Sequence, residues 1–232
     1  MKIIYFDLDN TILDFDKCEK EALKNLLSLY GLELTEKHIS SYSKINNKCW
    51  SEYEKGFITK EQLRSKRFDI FFKTNNIEEK SKIDHSNEYL NFLKEKSNFI
   101  PGAKELLVKL KKDNFKMACL TNGIKEVQES RISKSGLNKY FDFLLTSEEV
   151  GTPKPHPLIF YRASEISKIP LNESIYIGDS LSSDFLGAKN AGIPFILFWN
   201  KPLEILFDLK LEKLPKNICT SFRSLYKKIR EI

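Results

Sequence analysis

The hydrophobic pattern at the start of the chain differs from that of the region that follows. Residues 3–6, with the sequence IIYF, form an apolar run without polar alternation, which is typical of a strand buried on both faces of a parallel sheet. Residues 14–98 show no convincing strand, and their apolar side chains recur at helical spacing. Four helices are predicted there: residue 14 to about Tyr30, about Glu36 to Glu54, Thr59 to about Phe72, and roughly Glu78 to Lys94.

From Pro101 onward, helical and strand patterns alternate. Strands are predicted within FKMACLTNG, FDFLLTS, SIYIGDS and IPFILFW, with helical patterns before and between them. Such alternation predicts parallel strands with right-handed crossovers, hence an α/β fold with a doubly wound, Rossmann-like parallel sheet. The first strand belongs to that sheet. The sequence therefore predicts a core of residues 1–13 and 100–232, with a small all-helical domain of residues 14–99 inserted into it.

The composition indicates a globular protein. The 232 residues are 41% hydrophobic and include 17 Phe, which is enough for a large core. No stretch approaches the roughly 20 apolar residues of a membrane span, and the N-terminal segment reaches acidic residues too early for a secretion signal. The four cysteines lack C-x-x-C spacing, so we expect reduced, structural thiols and a cytoplasmic protein.

The charge pattern argues against a nucleic-acid surface. The formal net charge is +6, but lysines are interleaved with Glu and Asp along almost the whole chain. Short basic clusters such as LKKDNFK and LYKKIREI are typical of solvated helix faces. We therefore expect no nucleic-acid partner. The further expectations are a small-molecule partner, no membrane partner, and a monomer or weak homodimer.

Polar segments that are unusual in composition follow the predicted strands. They are FDLDNT, LTNG, GTPKP and IGDSLSSD, and each alone is also typical of an ordinary turn or exposed loop. Because ligands of open α/β sheets bind outside the carboxyl ends of the strands, the four segments together predict one site. Asp7 and Asp9 leave a buried strand. An unpaired buried charge is unfavourable by several kcal/mol, so these acids must face a cation, a hydrogen-bond donor or water.

Together these segments resemble the four motifs of the haloacid dehalogenase superfamily. The matching residues are DLDNT at Asp7–Thr11, TNG from Thr121, Lys154 within GTPKP, and GDSLSSD at Gly178–Asp184. The resemblance covers essentially the whole chain, and the inserted helices resemble the helical cap of that superfamily. The segments DLDNTILDF, WSEYEKGFIT and LTNGIKEVQESRISKSGLNKYFD are most similar to the YjjG-type pyrimidine 5'-nucleotidases.

The resemblance implies a phosphatase that hydrolyses a small phosphomonoester. Asp7 is then the nucleophile that forms an aspartyl-phosphate, and Asp9 protonates the leaving oxygen and later takes a proton from water. Mg²⁺ is the expected cofactor, held by the Asp7 carboxylate, the Asp9 main-chain carbonyl and Asp179. Asp184 is a further candidate ligand, and capping of the following helix is the alternative for that residue.

Three further residues are expected to contact the phosphoryl group. Lys154 supplies a positive charge from a backbone stiffened by Pro153 and Pro155. Thr121 donates its hydroxyl, and Asn122 its backbone N–H, at or near the start of a helix. The core motifs are therefore expected to contact only the phosphoryl group. Selection among substrates with different leaving groups is expected to depend on the inserted helices.

The expected substrate is a nucleoside 5'-monophosphate. The resemblance to the YjjG-type branch implies that its base is a pyrimidine. Asn46 and Asn47 are candidates for hydrogen bonds to the base, and Arg67 for contact with a sugar or carbonyl oxygen. Trp50 either stacks on a base or belongs to the core. Its position on a helically spaced apolar stripe favours the core. A sugar-phosphate phosphatase and a phosphomutase are the alternatives of the same fold. Asp9 argues against a dehalogenase, and the intact set of side chains argues against a non-catalytic binding module.

Overall fold

Six strands form one parallel sheet in the computed structural model, which describes residues 2–78, 80, 82–208 and 214–232. The strands are β1 (Ile3–Phe6), β2 (Lys116–Thr121), β3 (Leu144–Thr146), β4 (Ser174–Gly178), β5 (Phe195–Phe198) and β6 (Ile218–Cys219). Their order across the sheet is β3-β2-β1-β4-β5-β6, and every adjacent pair is parallel. The predicted doubly wound α/β fold is therefore confirmed.

Strand β1 lies near the centre of the sheet. Its four side chains are apolar and buried, as a strand covered on both faces requires. It pairs with β2 on one side and with β4 on the other, and Tyr5 lies opposite Ala118 and Tyr176. Successive strands are added on one side of β1 and then on the other, so the carboxyl ends of β1, β2 and β4 lie side by side where such sheets bind ligands.

The inserted region forms four helices. They are α1 (Phe15–Leu29), α2 (Glu36–Glu54), α3 (Lys60–Asn75) and α4 (His85–Lys94). The predicted capping box at the start of α3 is present, because the Thr59 hydroxyl accepts the Gln62 N–H and the Gln62 side chain accepts the Thr59 N–H. Helix α2 begins with the same arrangement at Thr35 and His38.

Helix α4 begins later than predicted. The sequence pattern predicts a start at roughly Glu78, but Glu78 and Lys80 are not helical, and Glu79 and Ser81 lie outside the described residues. Two helix caps set these boundaries, one at the end of α3 and one at the start of α4. Helix α3 ends at Asn76, which has a left-handed backbone, and the Asp84 carboxylate caps α4 by accepting the Asn87 N–H at 3.0 Å.

The remaining helices follow or separate the strands. They are α5 (Ala103–Lys112), α6 (Lys125–Ser135), α7 (Ser147–Val150), α8 (Leu158–Ser167), α9 (Leu186–Ala191), α10 (Leu203–Asp208) and α11 (Phe222–Glu231). Helix α8 packs on the sheet, since Ile159 and Phe160 lie in one buried cluster with Tyr5 and Tyr176. After Trp199 the sequence indicates only a helix face within LYKKIREI, which overlaps α11, so α10 and β6 are additions.

The chain divides into two compact units. The α/β unit comprises Met1–Phe15, Asn98–Lys125 and Ser135–Ile232, and the helical unit comprises Asp16–Ser97 and Glu126–Lys134. Within the described residues no helix is both long and apolar enough to cross a membrane. All four cysteines are buried and carry free thiols.

Most of α6 groups with the helical unit, whereas the sequence analysis places it in the core. Arg131 Nε donates to the carbonyl oxygen of Lys96 at 2.9 Å. The Glu126 carboxylate accepts from Arg64 at 3.0 Å and from Lys94 at 2.7 Å. These partners are 32 to 62 residues away along the chain, so the local pattern of α6 does not predict its grouping.

Candidate active site

The loop after β1 carries the first two acids of the site. The Asp7 N–H continues the parallel ladder by donating to the carbonyl oxygen of Ile177 at 2.8 Å. The chain then turns tightly at Asn10, which has a φ of +58°, and the side chain of Asn10 accepts the Phe15 N–H at 3.0 Å. This turn holds the buried Asp7 and the half-buried Asp9 at the carboxyl end of the central strand.

Three carboxylates converge beside this loop. Oxygen atoms of Asp7, Asp179 and Asp184 all lie within 4.8 Å of one another. All three groups are carboxylates, which suits a hard, oxygen-preferring divalent cation such as Mg²⁺ better than zinc. The Asp9 side chain does not belong to this group of three, and its main-chain contribution to a metal stays a prediction.

The position of Asp184 depends on an adjacent glycine. A methyl group at Gly178 would overlap the Asp184 side chain, so any other residue there would force Asp184 out of this position or shift the backbone. Asp184 lies in a π-helical turn at Leu181–Phe185, a rare form that is frequent at functional sites. The cap of this turn is the Ser180 hydroxyl, which accepts the Ser183 N–H at 3.2 Å. Asp184 itself turns back toward the site, and its Oδ2 accepts the Ser180 N–H at 3.0 Å.

The buried Lys154 ammonium binds two of the three carboxylates. Lys154 is 1% exposed, and its Nζ donates to Asp7 Oδ1 and to Asp184 Oδ1, both at 2.7 Å. The carbonyl oxygen of Leu120 lies at 3.1 Å and the hydroxyl of Tyr176 at 2.6 Å from the same nitrogen. The structure thus brings the lysine of the third motif to the acids of the first and the fourth.

Asn122 fixes the backbone of the lysine loop. Its side-chain oxygen accepts the Lys154 N–H at 2.8 Å, and its side-chain nitrogen donates to the Lys154 carbonyl oxygen at 2.9 Å. Thr121 ends β2 as a buried residue, and its hydroxyl accepts the Gly123 N–H at 3.0 Å. The predicted donation of the Thr121 hydroxyl and the Asn122 N–H to a phosphoryl group stays a prediction.

Sequence reasoning missed two parts of this site. One is the Asn122 side chain, because the motif indicates a role only for the backbone N–H of that residue. The other is Tyr176, which lies fully buried in β4 with its hydroxyl 2.7 Å from Asp184 Oδ1. One signal was available, because Tyr176 is the polar-tipped residue of an otherwise apolar run, and a buried tyrosine hydroxyl needs a hydrogen-bond partner.

The site carries an excess of negative charge. Burial raises the pKa of Asp7 well above its usual range, the Lys154 ammonium lowers it, and Asp184 adds to the increase. Burial and the neighbouring Asp184 raise the pKa of Asp179 to about 7. For Lys154, burial lowers the pKa, but Asp184 and Asp7 outweigh that effect and the pKa is raised. Lys201 and Lys154 both lower the pKa of Asp179, but within the described residues only the Lys154 ammonium is hydrogen-bonded to these carboxylates, so the group suits an added divalent cation.

The candidate substrate residues of the helical unit lie in different environments. Asn46 is buried, and its side-chain nitrogen donates to Glu19 Oε1 at 2.7 Å. Its side-chain oxygen accepts from Arg67 Nη1 at 3.1 Å. Asn47 is exposed, so the structure does not bring the two asparagines together as a pair. The Asn46 amide holds Arg67 instead.

Arg67 is 1% exposed and lies among aromatic rings. Its guanidinium carbon is 4.9 Å from the ring centroid of Tyr89 and 5.1 Å from that of Phe68. Its Nε and Nη2 atoms are buried and find no hydrogen-bond acceptor among the described residues. Trp50 packs against the apolar cluster that contains Cys49 and Tyr53, in agreement with the core interpretation of that residue.

Both the sequence and the fold match known hydrolases. A family model described as haloacid dehalogenase-like hydrolase matches residues 4–198. The chain is similar to pyrimidine 5'-nucleotidase PynA of Streptococcus pneumoniae, with 33% identity over 87% of this chain and 84% of that protein. It is also similar to pyrimidine 5'-nucleotidase YjjG of Escherichia coli, with 34% identity over 82% of each chain.

The fold has a solved counterpart in Bacillus subtilis. The crystal structure of the HAD-hydrolase YfnB bound to magnesium superposes with a TM-score of 0.87 and 28% identity. The match covers 99% of this chain and 98% of that chain. The likeness therefore extends over the α/β unit and the helical unit alike.

Proposed function

The chain belongs to the haloacid dehalogenase-like hydrolase family, and we propose that it is a Mg²⁺-dependent phosphatase that acts through an aspartyl-phosphate. The observation that carries the proposal is the buried Lys154, which is held 2.7 Å from Asp7 beside the carboxylates of Asp179 and Asp184. A nucleophilic carboxylate, a fixed cation and a group of metal-binding oxygens are the parts that phosphoryl transfer requires.

The proposed reaction has two steps. A carboxylate oxygen of Asp7 attacks phosphorus, the bond to the leaving oxygen breaks, and Asp9 donates its proton to that oxygen. Asp9 then takes a proton from a water molecule, whose oxygen attacks phosphorus and displaces the Asp7 carboxylate as inorganic phosphate forms. Lys154 orients the Asp7 oxygen and offsets the charge of the phosphoryl oxygens.

Mg²⁺ fits the residues that would hold it. The carboxylates of Asp7 and Asp179 and the Asp9 main-chain carbonyl are the proposed ligands, with Asp184 beside them. When bound, the ion supplies positive charge that offsets both the carboxylates and the phosphoryl group. The names of two relatives, both pyrimidine 5'-nucleotidases, and the magnesium in the YfnB structure support this assignment.

The proposed substrate is a pyrimidine nucleoside 5'-monophosphate. The polar groups of the α/β unit suit the phosphoryl group and do not discriminate among leaving groups, so selection falls to the helical unit. Arg67 supports this assignment, because its Nε and Nη2 find no acceptor in the described part of the chain and are donors that suit carbonyl oxygens such as those of a pyrimidine. Asn46 contributes indirectly, by holding the guanidinium through its side-chain oxygen.

A substrate panel tests the proposal. We would measure kcat/KM with Mg²⁺ for dUMP, dTMP, UMP, AMP and several pentose and hexose phosphates, in wild type and in Asn46→Ala. The exposed Asn47→Ala is the matched control, since it removes the same amide from the neighbouring position. We expect the pyrimidine nucleotides to rank first in wild type and in Asn47→Ala, and their lead to shrink in Asn46→Ala.

Each other outcome has a defined meaning. If kcat/KM for a sugar phosphate exceeds that for every nucleotide by about tenfold or more, the proposed nucleotide substrate is wrong, and the proposed phosphatase activity still holds. Dependence on a bisphosphate activator would indicate a phosphomutase. Release of halide from a 2-haloacid would indicate a dehalogenase. An absence of turnover on every compound would leave a binding module.

A further inference from the structure

The hydroxyl of Tyr176 joins the two charged groups that flank it. It lies 2.6 Å from Lys154 Nζ and 2.7 Å from Asp184 Oδ1, and those two atoms are 2.7 Å apart. The carbonyl oxygen of Leu120 is a weaker partner at 3.3 Å. The phenol ring is fixed from the side, since it packs edge-on against Phe160 with centroids 4.9 Å apart. The hydroxyl therefore has a single position within this triangle of polar atoms.

The neighbouring tyrosine shows that packing alone does not explain this hydroxyl. Tyr5 lies directly opposite Tyr176 in the pairing of β1 and β4, is equally buried and belongs to the same apolar cluster. Its hydroxyl instead bonds with Ser167 Oγ at 2.7 Å and donates to the carbonyl oxygen of Ala163 at 3.2 Å. The hydroxyls of these two buried tyrosines thus have different hydrogen-bond partners, and of the two only the Tyr176 hydroxyl contacts residues of the candidate active site.

The Lys154 ammonium has fewer protons than nearby acceptors, and this shortage indicates a role for the Tyr176 hydroxyl. Lys154 Nζ has three protons and four close acceptors: Asp7 Oδ1, Asp184 Oδ1, the Tyr176 hydroxyl and the Leu120 carbonyl oxygen. For the ammonium to donate to a phosphoryl oxygen, one of these bonds must be released. If the bond to Asp184 is released, the Tyr176 hydroxyl still donates to Asp184 Oδ1. The carboxylate then avoids the unfavourable state of a buried oxygen without a donor.

We infer that Tyr176 is a positioning residue, whose hydroxyl holds the Asp184 carboxylate in place for the metal while Lys154 redirects a hydrogen bond to the substrate. The inference rests on the proposed phosphatase function. Groups that orient metal ligands in this way typically account for about 10- to 100-fold in metal affinity or activity.

A pair of matched substitutions tests the inference. Tyr176→Phe and Tyr5→Phe each delete one buried hydroxyl from paired positions of adjacent strands. For Tyr176→Phe we expect kcat to fall about tenfold or more with KM changed less than about twofold, because the hydroxyl orients a proposed metal ligand and does not itself bind the substrate. We also expect the Kd for Mg²⁺, measured by calorimetry without substrate, to rise about tenfold. Tyr5→Phe should leave both quantities at their wild-type values.

A double substitution keeps the test decisive. If Tyr176 acts through Asp184, then adding Tyr176→Phe to Asp184→Asn should change kcat less than it does in wild type, so the two effects are not additive. Unchanged kcat and Mg²⁺ affinity in Tyr176→Phe, or equal losses in Tyr5→Phe, would overturn the inference. If the wild type hydrolyses no phosphomonoester, the proposed function fails, and the Mg²⁺ titration alone then decides on Tyr176.

Discussion

The two units of this protein bury charge in opposite ways. In the α/β unit, the Lys154 ammonium is hydrogen-bonded to Asp7 and Asp184, beside the carboxylate of Asp179. In the helical unit, the Arg67 guanidinium is buried among aromatic rings, and two of its three nitrogens find no acceptor among the described residues. Within the part of the chain that the structure describes, carboxylates outnumber cations in the first cluster, and donors outnumber acceptors in the second.

The sign of each imbalance indicates what the cluster binds. A buried group without a partner is unfavourable by about 1–3 kcal/mol, and more for a charge, so such a group is retained where a ligand or water completes it. Under the proposed function, a cation completes the cluster at Asp7, and a carbonyl or other acceptor completes the cluster at Arg67.

The largest effect should come from the nucleophile in the α/β unit. Asp7→Asn removes the attacking oxygen but keeps nearly the same volume beside Lys154. We expect kcat to fall by at least about 10⁴-fold, with the circular dichroism spectrum unchanged. Release of phosphate from the pyrimidine nucleotides is the measurement. Retained activity in a preparation free of contaminating phosphatase would exclude Asp7 as the nucleophile.

Removal of the metal should have the next largest effect. EDTA should reduce turnover to the background rate and Mg²⁺ should restore it, because the excess carboxylates repel the phosphoryl group without a cation. Thermal unfolding gives a second measurement, since Mg²⁺ at 100 times its Kd stabilises the folded protein by about 2.7 kcal/mol. Full activity in EDTA, or an unfolding temperature that Mg²⁺ does not raise, would contradict this interpretation of the cluster.

Two acids of the same unit should separate into different roles. Asp9→Asn should lower kcat by about 10² to 10⁴, because the leaving oxygen loses its proton donor, while the Kd for Mg²⁺ hardly changes. Asp179→Asn is the matched comparison and should weaken Mg²⁺ binding directly, because it removes one of the three converging carboxylates. If Asp9→Asn fails to bind Mg²⁺ but hydrolyses a substrate with a good leaving group normally, the two roles are reversed.

The smallest effect should come from the helical unit. Arg67→Met removes the unpaired donors and retains an apolar stem among the rings of Phe68 and Tyr89. The variant also leaves the buried side-chain oxygen of Asn46 without its Arg67 donor, so we expect the free energy of unfolding to fall by about 1–3 kcal/mol. The preference in kcat/KM for pyrimidine nucleotides over sugar phosphates should fall about tenfold. A large loss of stability with an unchanged substrate ranking would show that Arg67 is structural.

Local patterns predict much of the fold because each acts over a few residues. The apolar run at residues 3–6, the capping box at Thr59 and the alternation after Pro101 correctly indicate a buried strand, a helix start and a parallel sheet. Predictions fail where local signals are weak. Helix α4 begins only at His85, and β6 is two residues long.

The motifs of the sequence indicate which residues carry the proposed chemistry, whereas only the folded chain shows which side chains hold those residues in place. The acids at Asp7 and Asp179 and the lysine at position 154 are visible as motifs, because each follows a strand or a short loop with a characteristic composition. The contacts that hold these residues in place cannot be predicted from the sequence pattern. Tyr176 meets a lysine 22 residues away, and that lysine meets Asp7 across 147 residues. Asn46 and Asn47 are adjacent and identical in type, yet one is buried against Arg67 and the other is exposed. Such contacts depend on which faces of the elements pack together, and packing is a property of the whole chain rather than of any segment of it.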